Sequence, residues 1–181
     1  MPAPAGTAIV LIDPYNDFLH PDGKGTSALT DLDEKDTINH LKKVVTNARL
    51  RGVPIYYGLH QQWTPDHYNG WQHMTPSHIQ PDSKNGDVVV SRHWCSDSFS
   101  GTDLDFQLRQ REIKRLVFAG LTANTCLEAT ARHAYELGYQ VTMLKDATAG
   151  WSKELTDAAT DLIWPLFAQV MTVGDWVNES S

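Results

Sequence analysis

Only two cysteines, Cys95 and Cys126, occur among the 181 residues. Two thiols cannot build a disulfide scaffold or a cysteine-rich zinc site. One bridge between them is formally possible, but a reduced, cytoplasmic setting is the expectation. Long apolar runs are missing as well. None approaches the ~18 residues that a membrane-spanning helix needs. The opening MPAPAGTAIV lacks both the basic and the apolar region of a secretion signal and reads as a frayed start running into a strand. Basic charge is scarce: 15 Lys and Arg stand against 22 Asp and Glu, for a formal net charge of -7, and they form no dense cluster. That argues against nucleic acid or an anionic membrane surface as a partner. A small anionic substrate stays admissible, because a local pocket can be positive in an acidic protein.

Several catalytic signatures are also absent. No GxGxxG or GxxxxGK[ST] follows the first apolar run, so dinucleotide and P-loop readings lack their phosphate cradle. GLTANTC is no serine elbow of the GxSxG kind. There is no HExxH and no cysteine pair. Of the eight histidines only His60 and His67, with Asp66 between them, have a spacing that suggests a ligand set. No metal and no cofactor is expected.

What is present reads as one folded domain over 1–181: 41% hydrophobic and 20% charged residues, without repeats or low-complexity segments. Thr7–Ile12 is a strand buried on both faces, stopped by Asp13 and Pro14. A polar loop over 15–34 follows, then a helix over 36–50 with Ile38, Leu41, Val44, Val45 and Ala48 on one stripe. Strands are expected at 54–57, 87–91, 116–119, 140–144 and 167–173. Helices are expected just after Thr102, from about Thr125 to Leu137, and over 152–164. Residues 61–87 crowd aromatics, prolines and histidines without a period. Six apolar strands alternating with helices predict an α/β fold, a three-layer α/β/α sandwich with a mainly parallel six-stranded sheet.

The stretch RLVFAGLTANTCLEATARHAYELGY carries the chemistry. An apolar strand ends at Gly120, and a helix starts with Thr125 as N-cap and Glu128 completing a capping box. Cys126 then sits on the first turn. There the free N–H groups and the dipole lower a thiol pKa and offer donors to an oxyanion. Ligands bind such sheets beyond the carboxyl ends of the strands. Those ends present Asp13, His60, Arg92 with His93, the turn before Cys126, and Asp146. Tyr15, Trp63 and Trp94 each follow a strand end and offer a flat wall to a small planar substrate.

Taken together, AIVLIDPYNDF, TDLDFQLRQREI, LVFAGLTANTCLEATARHAYELGY and KDATAG resemble the isochorismatase-like cysteine hydrolases over nearly the whole chain. The resemblance implies Cys126 as nucleophile, Asp13 as general base, and a cis peptide at Leu121–Thr122. That peptide aims the Thr122 N–H, together with that of Cys126, at an oxyanion. It implies hydrolysis of a small amide or ureido compound through a thioester, in a homo-dimer or homo-tetramer. Trp71, Trp94, Trp151, Trp164 and Trp176 are candidates for the subunit contact. Two departures stand out. The family's lysine after strand three is missing: in register from Phe99 its place falls to His93, with Arg92 beside it, so the cation that pairs with Asp13 is supplied by His93 or by Arg92, or is absent. GLHQQWTPDH lacks the Asp-x-His with which nicotinamidase-like members hold a metal. Tyr15 also stands where many members have Gln. His60 and Arg92 join the pocket set. The alternatives are isochorismatase-type vinyl-ether hydrolysis, which needs the Asp but not the Cys, and a catalytically silent scaffold.

Overall fold

The computed structural model describes residues 5–60 and 79–179. Among the described residues six strands form one sheet: β1 (Thr7–Ile12), β2 (Ile55–Gly58), β3 (Val88–Val89), β4 (Arg115–Leu121), β5 (Gln140–Ala149) and β6 (Gln169–Met171). Their order is β3-β2-β1-β4-β5-β6, and every pairing is parallel. The chain therefore builds outward from β1 in one direction, returns, and builds outward from β4 in the other. The reversal lies between β1 and β4, which is where such sheets open a crevice for ligands.

Alternation along β1 explains the two cores. Ile9 and Leu11 face the layer that holds α2 (Thr37–Leu50) and α6 (Val173–Asn178), with Leu41, Val44, Val45 and Trp176 packed against them. Ala8, Val10 and Ile12 face the opposite layer. That layer holds Leu104 and Leu108 of α3 (Leu104–Gln110), Ala131 and Ala134 of α4 (Glu128–Glu136), and Trp164. A one-residue slip would turn both sets to the wrong side, so the pattern also fixes the register. This is the expected three-layer α/β/α sandwich. Among the described residues no helix is long and apolar enough to cross a membrane.

Several local expectations give way. Gly120 does not end β4 but sits inside it, with φ 120°, and pairs opposite Ile12. A Cβ there would lie 2.1 Å from the Ile12 carbonyl oxygen, so the backbones approach too closely for any other residue. Strand β5 runs ten residues, through Asp146, because a register shift between Phe118 and Gly120 lets the chain rejoin the ladder at Thr148. The loop over 15–34 contains a short helix, α1 (Asn16–Leu19). The helix expected over 152–164 is regular only over α5 (Lys153–Ala158). It widens over Ala159–Ile163 and tightens over Trp164–Leu166, where Pro165 removes a donor. Helix α6, too short to show a period, is capped by a Thr172–Asp175 box. Trp164 and Trp176 are buried in the cores and are not available to a subunit contact. Trp94 and Trp151 are exposed, and Trp71 lies outside the described residues.

Candidate active site

Asp13 follows the last residue of β1 and adopts a left-handed conformation, φ 48°. An aspartate tolerates that region better than most residues. Its N–H donates to the Gly58 carbonyl at the end of β2 (2.9 Å). The turn aims a buried carboxylate back across the strand ends. Oδ1 accepts from the His60 N–H (2.8 Å) and meets Nε2 of His93 (3.1 Å). His60 and His93 themselves bridge β2 to the segment after β3, their rings edge to face at 5.0 Å.

His93 is fully buried and sits between two acceptors, since Nδ1 faces the Cys95 carbonyl at 2.8 Å. A carbonyl can only accept, so Nδ1 carries a proton. Burial works against a charge on the ring. The hydrogen bond and charge of Asp13, the Cys95 carbonyl and the charge of Asp97 outweigh it, and the His93 pKa is raised above its ordinary 6.5. The contact with Asp13 thus favours a proton on both ring nitrogens of His93.

Cys126 enters from the far side. Leu121–Thr122 is cis, and Ala123–Leu127 forms one wide turn before α4 begins at Glu128. The capping box expected on Thr125 is not formed. Thr125 has non-helical angles (φ −129°, ψ −105°), and its hydroxyl pairs with that of Thr122. The expected lowering of the thiol pKa is reversed too. Burial, then the charge of Asp13 and a hydrogen bond to its carboxylate, push the Cys126 thiol well up, against weaker opposing contacts from Thr125 and Ser96. Burial and the neighbouring carboxylate thus favour the protonated thiol, which lies beside Asp13. Its sulfur also lies 3.9 Å from the Cys95 carbonyl oxygen, the same atom that holds His93.

Of the residues read from sequence, Asp13, His93 and Cys126 thus converge, with Thr122 in the turn that presents the thiol. Tyr15 is buried to 1% exposure instead of lining an open wall. Its hydroxyl donates to the His60 carbonyl (2.5 Å), which also accepts from the exposed Arg92 at 3.4 Å. Trp94 is half exposed. Asp146 does not join the group, because it caps the start of α6 through the Val173 N–H (2.8 Å) and pairs with His40 (3.4 Å). Trp63, Asp66 and His67 lie outside the described residues.

Two contributors were not legible as site residues. The Cys95 carbonyl is a main-chain atom and carries no side-chain signal. Thr130, fully buried, donates to the Cys126 carbonyl (2.7 Å) and accepts from the Ser98 N–H (3.0 Å). It ties the loop bearing His93 to the turn bearing Cys126. A threonine four residues after the thiol was the available hint, since a helical Thr often bonds back to that carbonyl.

Comparison with known proteins agrees with this fold. The isochorismatase domain matches residues 7–175. The ureidoacrylate amidohydrolase RutB of Agrobacterium fabrum is 28% identical over 207 residues, covering 96% of this chain and 89% of that protein. The RutB of Enterobacter sp. (strain 638) is 31% identical over 144 residues, 79% of this chain and 56% of that protein. A cysteine hydrolase from Pseudomonas syringae pv. phaseolicola 1448A shares the fold, with a TM-score of 0.81 at 21% identity over 98% of this chain and 97% of its own. With the domain matched over nearly its whole length and the sheet built the same way, the chain belongs to the isochorismatase family.

Proposed function

We propose that this protein hydrolyses the C–N bond of a small amide or ureido compound through a thioester on Cys126. The observation that carries the reading is the Asp13 carboxylate, which acts on the Cys126 thiol and the His93 imidazole together, at the point where strand order reverses. Asp13 takes the thiol proton as sulfur attacks the substrate carbonyl carbon. The N–H groups of Thr122 and Cys126 hold the resulting oxyanion. As the intermediate collapses, the C–N bond breaks and Asp13 hands the proton to the departing nitrogen. Water, deprotonated by Asp13, then attacks the thioester. The C–S bond breaks and the thiol regains its proton. Throughout, the His93 imidazolium offsets the charge that passes between Asp13 and sulfur.

The amidohydrolase names of the relatives support the substrate class. In this reading His60, Arg92, Trp94 and Trp63 meet the substrate, and Tyr15 braces His60 from behind. The test is an ammonia-release screen over small amides, carbamoyl compounds and ureides, run on wild type and Cys126→Ala in parallel. Turnover by wild type alone is expected. Equal turnover by Cys126→Ala would overturn covalent catalysis and favour vinyl-ether chemistry. The same reading has the protein act as a cytoplasmic homo-oligomer. Leu155, Leu162 and Leu166 supply exposed apolar surface for a second copy. Light scattering that returns the 20.3 kDa mass of one chain would exclude it.

A further inference from the structure

Both cysteines are free, and their surroundings are opposite. Cys126 is partly buried, with its thiol held protonated by burial and Asp13. Cys95 is exposed, on the irregular chain between β3 and α3. Only its carbonyl oxygen takes part in the site, 2.8 Å from His93 and 3.9 Å from the Cys126 sulfur. Among the described residues no bond uses its side chain, so nothing in the fold requires a thiol there.

We propose that Cys95 and Cys126 form a redox pair, in which a peroxide oxidises the open Cys95 and Cys126 closes a disulfide onto it, silencing the nucleophile reversibly.

The two cysteines are already neighbours: the Cys126 sulfur lies 3.9 Å from the Cys95 carbonyl oxygen, an atom two bonds from the Cys95 Cα. A disulfide needs Cα atoms about 4.4–6.8 Å apart, so closure asks the Cys95 side chain to swing toward that sulfur and its loop, irregular between β3 and α3, to adjust. The order of events follows from access and ionisation. The thiolate is the form that attacks, and Cys126 is both shielded and protonated, whereas Cys95 is open to solvent.

The Cys95 thiolate attacks one oxygen of hydrogen peroxide. The O–O bond breaks, and the departing hydroxide takes a proton to become water. Sulfur is oxidised by two electrons to a sulfenic acid. Cys126 then yields its proton to Asp13, and its sulfur attacks that of Cys95. The S–O bond breaks, and the hydroxide leaves as water with the proton that Asp13 held. In sum, two thiols and one peroxide give one disulfide and two waters. Closure also displaces the Cys95 carbonyl that orients His93, so base and nucleophile are disabled together. A dithiol reverses the step.

The proposal takes Asp13 as the base of Cys126 from the reading above, but thiol counting needs no substrate and separates the two. The full chain, freed of reductant, is exposed to hydrogen peroxide, denatured, alkylated, and analysed by intact mass and peptide mapping. Wild type should lose both alkylatable thiols together with two hydrogens of mass. It should yield a peptide pair joining Cys95 to Cys126 within one chain and recover both thiols with dithiothreitol. Cys95→Ser keeps the carbonyl, and at the same dose it should leave Cys126 alkylatable. Three results would overturn the pair: Cys126 still alkylatable in wild type after Cys95 is oxidised, equal oxidation of Cys126 in Cys95→Ser, or a bridge between two chains. Absence of amide turnover alongside an intact bridge would count against the hydrolysis and not against the pair.

Discussion

His93 and Asp13 meet through Nε2 and Oδ1 at 3.1 Å, while the other ring nitrogen of His93 is committed to the Cys95 carbonyl at 2.8 Å. These contacts raise the His93 pKa and favour its cationic form in the register position where the resemblance leads one to look for a lysine. The substitution preserves charge and changes its pH range. A lysine keeps its proton to an ordinary pKa of about 10.4, and histidine to about 6.5.

Activity should therefore carry an alkaline limb set by His93. Asp13 and Asp97 face the ring with negative charge, and His60 packs against it. Because the folded pKa lies above 6.5, the stabilisation from this pair is complete below that value and is lost as pH rises through the higher folded one. Cys126 is itself pushed upward, so its ionisation does not set this limb. His93→Lys should move the fall in kcat/KM to higher pH by at least ~1 unit, consistent with the gap between the two side chains. A limb that stays in place would assign it to another group.

Asp13→Asn is the cleanest removal of the base in the proposed mechanism. Asparagine also tolerates the left-handed conformation at this position, so the backbone need not shift. It can still accept from the His60 N–H, but it removes the negative charge that favours a proton on His93. Turnover should fall by several orders of magnitude, on the order of 10³ or more. The double variant with Cys126→Ala should be no worse than either single variant, because the residues act as one unit. Rate measurements on the three variants check this, and additive losses would mean that Asp13 acts apart from the thiol.

The strand-end logic was legible in sequence because it rests on apolar runs and the residues that stop them. Asp13, His93 and the Cys126 turn all follow such stops. Asp146 misled for the same reason. A charged residue after an apolar run reads as a terminus, yet β5 passes through it by a register shift that no local pattern announces. The direction of the Cys126 pKa shift was illegible too. The first turn of a helix lowers a thiol pKa, and here burial, followed by a carboxylate from a strand end 113 positions earlier in the chain, reverses it. Thr130 and the Cys95 carbonyl matter only through contacts that the fold creates.

Gly120 gives the stability test. Gly120→Ala would drive a Cβ to 2.1 Å from the Ile12 oxygen and 2.7 Å from its nitrogen, both backbone atoms, at a φ of 120° that L residues avoid. Neither partner can rotate away, as a side chain could. The loss should exceed the ~1–3 kcal/mol common for overpacking. Urea unfolding measures it, and a variant within ~0.5 kcal/mol of wild type would show that β1 and β4 can separate at this point.

Thr130 tests whether the site depends on the clamp between its two halves. Thr130→Val keeps the branched shape and removes the hydroxyl that joins the Ser98 N–H to the Cys126 carbonyl. Valine is at home in a buried helical position, so packing is preserved. The Ser98 amide loses its acceptor in a buried setting, which costs ~1–3 kcal/mol if nothing replaces it. More telling is where the loss falls. The loop from His93 to Ser98 carries the charged ring and the carbonyl that faces the thiol, and the turn after β4 carries the thiol itself. Loosening one against the other should lower kcat more than it raises KM and should speed alkylation of Cys126 as its shielding relaxes. Thr130→Ser, which restores the hydroxyl without the methyl, should recover most of kcat. If Thr130→Val were destabilised yet kept its kcat and its alkylation rate, Thr130 would be a packing residue alone. The two halves of the site would then be held by the strand ends without it.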